Sequence, residues 1–464
     1  MSMHRRAMQD QKELWVAAHK LAASPGHPFY RKLNQVLAHE GFDRFVEDLC
    51  EPFYAEKLGR PSVPPGVYFR MLMVGYFDGI DSERGIDWRC ADSLALREFL
   101  GYSLKESTPD HSTLSRTRER IDLETHQAVF TWVLGVLAER GHLRGRSIGV
   151  DATTLEASAA MRSIVRRDGG ESYGEFLTAL SKASGVATPS RADLRRIDRE
   201  RKGKGSNDDW KHPHDPDARI GKMKTGATHM AHKAEHAVDL DTSAVVAVTV
   251  QGADEGDTGT VYETVAEAAQ NLREVRERGA AGLGEGIREV VADKGYHSNG
   301  VLRDMAEIGL RTYVSEPRRG RRRWRGKEAE REAVYGNRRR VRGERGKGLL
   351  RRRAEVVERT FAHSYGTGGM RRTHLRGREK ILKRLLIHVS GLNLGLVMRG
   401  LVGAGTPRGL GAISRALGAA AVGAFRHILG HFRRSGAGLR LVRRPYIRNT
   451  PTPTAHHLTI AYAG

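Results

Sequence analysis

The stretch Ser147–Ser158, SIGVDATTLEAS, is where the chain changes character. Its first residues form a short apolar strand pattern that closes on a carboxylate, Asp151. The same arrangement returns in Ile287–Ser298, IREVVADKGYHS, where a second apolar strand closes on Asp293. Between them, Thr228–Val250 (THMAHKAEHAVDLDTSAVVAVTV) reads as two strands joined by a turn at Asp239–Ser243, and Thr258–Val275 reads as a helix. Ser298–Gly309 is a helix capped by Ser298, and Arg311–Pro317 is another short strand. Strands alternating with helices in this order give a mixed α/β layer architecture. Its two most telling carboxylates stand at strand ends, where such sheets place ligands.

Residues from about 10 to 142 read as helical. VYFRMLMVGYF (Val67–Phe77) is apolar on most sides and follows Pro64-Pro65, a natural helix start. DLETHQAVFTWVLGVLAERG (Asp122–Gly141) has apolar residues at helical spacing. Between them DWRCADSLALREFLG ends at Gly101. The next helix takes Thr108 and Pro109 as cap and first turn and carries Arg116, Arg118 and Arg120. Helix, short turn and basic helix suit a helix-turn-helix-like DNA reader, and equally an ordinary bundle with a solvated basic face. The expected organisation is a helical domain over 1–142 and a mixed α/β domain over 143–400. A polar, loop-like insertion at 161–221 and a basic segment at 318–353 fall within the second domain. A Gly/Ala/Arg-rich tail over 401–464 is expected to be poorly ordered. The basic segment has 17 Lys and Arg against four Glu. Such a run is expected to stay solvated, with Trp324 and Tyr335 placed to stack on or wedge between bases.

The 464 residues carry 78 Lys+Arg against 55 Asp+Glu, a net charge of +23. A charge that large points to a polyanion, with nucleic acid ahead of an anionic membrane surface. No run of about 18 uninterrupted apolar residues appears, so no membrane span is expected. No apolar region follows the basic N-terminus to make a secretory signal. Two cysteines, Cys50 and Cys90, exclude a Cys-based zinc site or a disulfide framework and suit buried small residues in a reducing cytoplasm. HPHDPD (His212–Asp217) has metal-ligand residue types but lies in a loop-like region and lacks further partners. The acidic cluster Asp254, Glu255 and Asp257 reads most simply as a strand-to-helix turn, with Asp257 or Thr258 as the cap. The glycines near Gly282 lack the Lys-Ser/Thr of a nucleotide loop.

Metal-assisted phosphoryl transfer needs hard oxygen ligands close together. Asp151, Asp293 and Glu358 are the candidates, the last on a helix, AEVVERTFAHSY, that follows the basic run. Taken one by one, an Asp at a strand end is usually a turn former, and a Glu on a basic helix is usually an ion-pair partner. The ordered set says more. IGVDATTLEASA, VVADKGYHS and VVERTF resemble the three catalytic motifs of DDE transposases from bacterial insertion sequences, the group with a ribonuclease H-like catalytic domain. DPDARIGKMKTG (Asp215–Gly226) and HKAEHAVDLDTSAVVAVTV resemble segments between its first two motifs. PPGVYFRMLMVGYFDGIDSERG and STPDHSTLSRTRERI resemble its helical N-terminal domain. The resemblance runs from about Pro28 to Arg399.

This resemblance implies a ribonuclease H-like mixed sheet preceded by an all-α domain. It implies Asp151, Asp293 and Glu358 as ligands of two Mg²⁺ ions, with Mn²⁺ able to substitute. It implies double-stranded DNA as partner, both terminal inverted repeats and target, bound by a homodimer or higher oligomer in the cytoplasm. Lys294 or Tyr296 of the second motif would touch DNA phosphate. Where many relatives have Arg four residues before the Glu and a basic residue seven after, this chain has Ala354 and Tyr365. Arg353, one place off, and Arg359 are the nearest candidates for that DNA contact. Arg321, Arg322, Arg323 and Trp324 of the basic segment, with Arg116 and Arg118, complete the expected DNA-binding set. Glu355 is the rival for the third ligand. With Arg351 and Arg352 one turn before it, it suits a surface ion pair, which leaves Glu358 as the choice. Two rival functions remain: a DNA-binding protein derived from an inactive transposase, and a ribonuclease H-like nuclease without strand transfer.

Overall fold

In the computed structural model, β1 (Ser147–Glu156) is the axis of a six-stranded sheet. The structure describes residues 26–55, 62–201, 205–223, 226–279, 283–318, 320, 322–412 and 415. On one side of β1 lies β5 (Thr228–Asp239), antiparallel to it, followed by β6 (Val245–Gly252), antiparallel to β5. On the other side β7 (Glu289–Ala292) and then β8 (Arg311–Val314) run parallel to β1. The order β6-β5-β1-β7-β8, with three antiparallel and two parallel strands, is a ribonuclease H-like mixed sheet. The β5–β6 hairpin turns within Leu240–Ala244, where Ser243 takes a left-handed φ of 71°. Short β4 (Arg219–Lys222) extends the sheet along the start of β5.

Both faces of this sheet are covered, which is why every residue of β5 from Met230 onward is buried. Helix α10 (Asp257–Glu277) covers one face, and α13 (Glu344–Phe361) and α14 (Arg378–Val402) pack on other parts of the sheet. Edge strand β6 would expose its backbone polar groups to a stray strand. Asn271 of α10 donates to Val246 O (2.9 Å), and Asn393 of α14 both donates to Val245 O (2.8 Å) and accepts from Val245 N (3.0 Å). α11 (Asn299–Glu307) and α12 (Glu328–Arg342) finish the parallel side.

Among the described residues, seven α-helices precede β1: α1 (Pro28–His39), α2 (Phe42–Cys50), α3 (Pro65–Asp78), α4 (Glu83–Asp92), α5 (Leu94–Leu100), α6 (His111–Arg120) and α7 (Leu123–Glu139). α3 starts after Pro64, stops at Gly79 with φ 64°, and buries all but its last residue. It meets α14, whose Arg384 is buried and donates to Leu72 O (2.9 Å) and Ile80 O (3.3 Å). Any side chain at Gly75 would collide with that guanidinium. α14 passes the length and composition test for a membrane span, but here it is largely buried against α3, α7 and β6. The described residues up to Gly411 form one compact unit. Most of the tail expected over 401–464 lies outside the described residues. Cys50 and Cys90 are free and buried, and burial pushes both thiols up to about 12.

Four expectations change. α6 is capped by Asp110, not Thr108, because its carboxylate accepts from Thr113 N at 2.7 Å. α10 has Gly256 at its cap with no side-chain bond, so Asp257 stands in the first turn free to pair elsewhere. The segment 161–221 is not a plain loop. It holds α8 (Tyr173–Ala183) and α9 (Arg191–Glu200), both with capping boxes, and the pairing of β2 (Val165–Arg166) with β3 (Trp210–Lys211). Ile164, Trp210, Ala218 and Met230 form its own small core, with Tyr173 and Phe176 packed against it. The basic run from residue 318 folds into α12 and the start of α13, and many of its cations have partners within the chain. Arg338 pairs with Glu316 (2.7 Å), Arg340 donates to Thr312 O (2.9 Å), Arg345 pairs with Glu289 (2.6 Å) and Arg352 donates to Leu240 O (2.9 Å). Charge counted along a sequence overlooks acceptors brought in by the sheet.

Candidate active site

β1 and β7 pair in parallel with Gly149 opposite Val291. Two residues further on, each strand reaches its carboxylate, so Asp151 and Asp293 stand side by side on strands about 4.8 Å apart. β1 is carried this far by Ile148 and Val150, both fully buried. Asp293 ends β7 and caps a single helical turn, Lys294–Tyr296, with Oδ1 accepting from Gly295 N at 2.7 Å. A Cβ on Gly295 would lie 3.0 Å from that oxygen and 2.5 Å from Oδ2 of Asp257, so the turn admits no side chain there.

Helix α13 crosses this edge of the sheet. Arg353 is buried beneath it, its Nη2 2.9 Å from Asp151 Oδ2 and its Nε donating to Val150 O at 3.2 Å. Arg353 therefore serves Asp151 and the strand. Its expected contact with DNA is corrected on that ground. Glu358 lies five residues on, about 140° around the helix axis from Arg353. Its side chain is exposed beside buried Val356 and Val357, and it makes no ion pair among the described residues. The structure thus joins Arg353 to Asp151, places Asp293 just past the end of the adjacent strand, and leaves Glu358 on the helix flank at the rim. No three His, Cys, Asp or Glu side chains among the described residues are close enough to hold one ion.

Glu355 pairs with Arg359, one turn later, and not with Arg351 or Arg352. Lys294 is exposed. Tyr296 is not: its hydroxyl donates to Glu235 Oε1 at 2.7 Å in the interior, so a phosphate contact is corrected to an anchoring bond. Burial pushes the Tyr296 phenol far up, with Glu235 and Asp257 adding to it. Glu235 also accepts from Thr260 (3.0 Å) and Thr264 of α10. Lys233 reaches Thr260 Oγ1 (2.8 Å) and Asp257 (2.6 Å), and stands 3.8 Å from Glu235. Burial raises the Glu235 carboxyl, against the pull of its hydrogen bonds and Lys233. A buried polar network thus underlies the turn that carries Asp293. Its sequence signal was Lys233 and Glu235, two charges on one face of a strand that is buried from Met230 onward.

Among the remaining expected contacts, Arg118 is buried against Glu83, which removes it from any DNA surface, while Arg116 is exposed. Arg322 pairs with Glu316 (2.6 Å) and Asn299 (2.9 Å), and its guanidinium lies 5.6 Å from the Trp324 ring. Trp324 is half-buried next to Tyr335, and Arg323 is exposed. Arg321 lies outside the described residues. HPHDPD has a structural job. Asp215 pairs with buried His232 (3.2 Å) and accepts from Gly377 N (3.1 Å), and Asp217 accepts from Arg378 N (3.0 Å), so the motif clamps the start of α14.

Residues 18–120 match the family model of the Transposase domain (DUF772), and residues 202–394 match that of the Transposase DDE domain. Together the two cover more than half of the chain. It belongs to the DDE transposases of insertion sequences. No curated protein matches the transposase. The second matched stretch contains Asp293 and Glu358, whereas Asp151 precedes it on the strand paired with β7.

Proposed function

We propose that this transposase cleaves DNA at the ends of its element and joins the freed 3′-OH to target DNA, with Asp151, Asp293 and Glu358 holding divalent ions. The placement of Asp151 and Asp293, each two residues beyond the paired Gly149 and Val291 of adjacent parallel strands, carries this reading. Carboxylate oxygens at strand ends are the hard donors that Mg²⁺ or Mn²⁺ selects, so the residues present fit such ions. When bound, two such ions supply charge stabilisation to the attacking and leaving oxygens of phosphoryl transfer. The chain's own residues do the positioning. Arg353 fixes the rotamer of Asp151, and the Gly295 amide fixes Asp293. Glu358 projects from α13 at the rim, where a ligand can draw it in. Exposed Lys294, Arg359, Arg323 and Arg116 are proposed to hold phosphates. Residues 1–142 are proposed as the DNA-binding part and 143–400 as the catalytic part, working as an oligomer on double-stranded DNA in the cytoplasm.

The test is cleavage of a supercoiled plasmid carrying the element's ends, with binding of an end duplex measured beside it. Asp151→Asn, Asp293→Asn and Glu358→Gln each abolish cleavage and leave duplex affinity within about twofold, since no basic contact is lost. Glu355→Gln keeps most activity, because its water-screened pair with Arg359 is worth only ~0.2–1 kcal/mol. Normal cleavage by either Asn variant overturns the assignment. The reverse pattern in the two Gln variants moves the third ligand one turn back.

A further inference from the structure

We propose that the cleft at the far end of β1 seats a single DNA strand, about five nucleotides along from Asp151. The inference rests on the transposase reading above. The cleft has a volume of about 730 Å³. Its walls are segments that follow two of the three carboxylates in sequence. Ser158–Ser163 continues from the strand of Asp151, and Arg372 with Arg376 follows the helix of Glu358. The two are tied together, because Glu156 N donates to Arg371 O (3.0 Å) and Thr373 N donates to Glu156 O (2.9 Å). The third wall is the turn at Pro213–His214, which Asp215 and Asp217 fasten to α14. The cleft is therefore a rigid part of the fold.

Its charge is unbalanced. Arg162, Arg372, Arg376, His212, His214 and His229 line it, and Glu156 is the one carboxylate among the lining residues. Glu156 stands 3.6 Å from Arg372 and 3.9 Å from His229, contacts that satisfy little of that charge. Arg162 and Arg376 are exposed and make no ion pair among the described residues. Within the 318–353 run, by contrast, Arg322, Arg338, Arg340, Arg345, Arg352 and Arg353 have partners in the fold. Three guanidinium groups held around one cavity repel one another, and an anion relieves that. Ala159, Ala160 and Met161 add apolar surface to the lining. Cations beside apolar surface suit phosphates at the one and a sugar or base at the other. The volume is that of a small-ligand site, which fits a nucleotide or two and not a duplex. From Asp151 to Glu156 the strand advances about 17 Å. At the duplex rise of ~3.4 Å per nucleotide, that is about five positions along a strand whose cut phosphate sits at Asp151, the upper limit for a strand that extends further once unpaired.

The probes are a blunt duplex and the same duplex carrying a five-nucleotide single-stranded tail, placed on either strand in turn. The full chain is expected to prefer the tailed duplex. The double variant Arg372→Ala/Arg376→Ala loses about tenfold or more in affinity for the tail. Its dependence of log affinity on log salt flattens by about 1.4, at ~0.7 for each single-strand phosphate. Its affinity for the blunt duplex stays within about twofold. Equal losses on both probes, or on neither, overturn the proposal. Bromodeoxyuridine placed in the tail, irradiated with the unmodified protein, crosslinks within 158–163 or 212–214. Crosslinks wholly elsewhere overturn it, whatever the variant does. Binding of the blunt duplex without preference for a tail rejects the cleft alone, whereas binding of neither probe rejects the DNA reading itself.

Discussion

Arg353 and Asp151 are joined by an ion pair of 2.9 Å at the edge of the sheet, and the same guanidinium donates to Val150 O at 3.2 Å. The arginine therefore fixes both the carboxylate and the strand that carries it. Arg353→Lys cannot make both contacts, because an ammonium is a single point donor. It is expected to lower end cleavage at least tenfold while duplex affinity stays within about twofold. The dependence of affinity on salt stays unchanged, because Arg353 is only 8% exposed. A salt slope reduced by about 0.9 would instead mark a lost duplex phosphate contact.

Tyr296 tests whether the second motif faces DNA or the core. Its hydroxyl is one of the donors to buried Glu235. Tyr296→Phe keeps the ring and removes that bond, leaving a buried carboxylate short of a partner at about 1–3 kcal/mol. Urea denaturation should show the loss of stability, and duplex affinity should not change. Weakened DNA binding at unchanged stability restores the phosphate contact. Lys294→Ala, at an exposed position, gives the opposite pattern.

The sheet was legible because its strands announce themselves: apolar runs ending at Asp151 and Asp293, and a hairpin with its turn at Asp239–Ser243. The ordered motifs made the family legible too. What stayed hidden was the destination of polar side chains. Tyr296, Arg118 and Arg353 belong to types that mostly face water or ligand, and each is buried by a partner far away in sequence: Glu235, Glu83 and Asp151. The insertion at 161–221 looked featureless because its small core rests on a few aromatic residues spread along it. The basic run misled for the opposite reason. Glu289, Glu316 and the Thr312 carbonyl, which absorb its charge, lie at or near the parallel edge of the sheet.

Neighbouring arginines in that run should accordingly separate. Arg322 is held by Glu316 and Asn299 and packs near Trp324, whereas Arg323 is exposed. Arg322→Ala is expected to lower stability by about 1.5–3 kcal/mol, the size of a lost charge-assisted bond. Arg323→Ala leaves stability within about 0.5 kcal/mol, as for most surface changes. It reduces the salt slope for duplex binding by about 0.9. Identical effects of the two changes on both measurements contradict the division.

Three histidines set how the fold responds to acid. His126 hydrogen-bonds to the Tyr68 hydroxyl (3.0 Å) and Asp122 O (2.6 Å). His236 bonds to Tyr365 (2.6 Å), and His388 to Ser364 O (2.9 Å). All three are fully buried. Burial holds His126 down to about 4 and His236 and His388 down to about 3. The unfolded chain protonates the same rings near pH 6.5. Between that pH and about 4, the unfolded state binds protons that the native state does not, so stability falls as pH falls. Above pH 7 both states are neutral at these positions, and the contribution is flat. Each histidine adds a slope of about 1.4 kcal/mol per pH unit in that window, and the three together about 4. Melting temperature should be level from pH 7.5 to 8.5 and drop steeply from 6.5 towards 4. These rings should take up close to three protons on unfolding at pH 5, measured as the dependence of unfolding free energy on pH. His388→Gln lowers that uptake by one. A melting temperature that does not change between pH 6.5 and 4.5 rules out neutral burial of these rings.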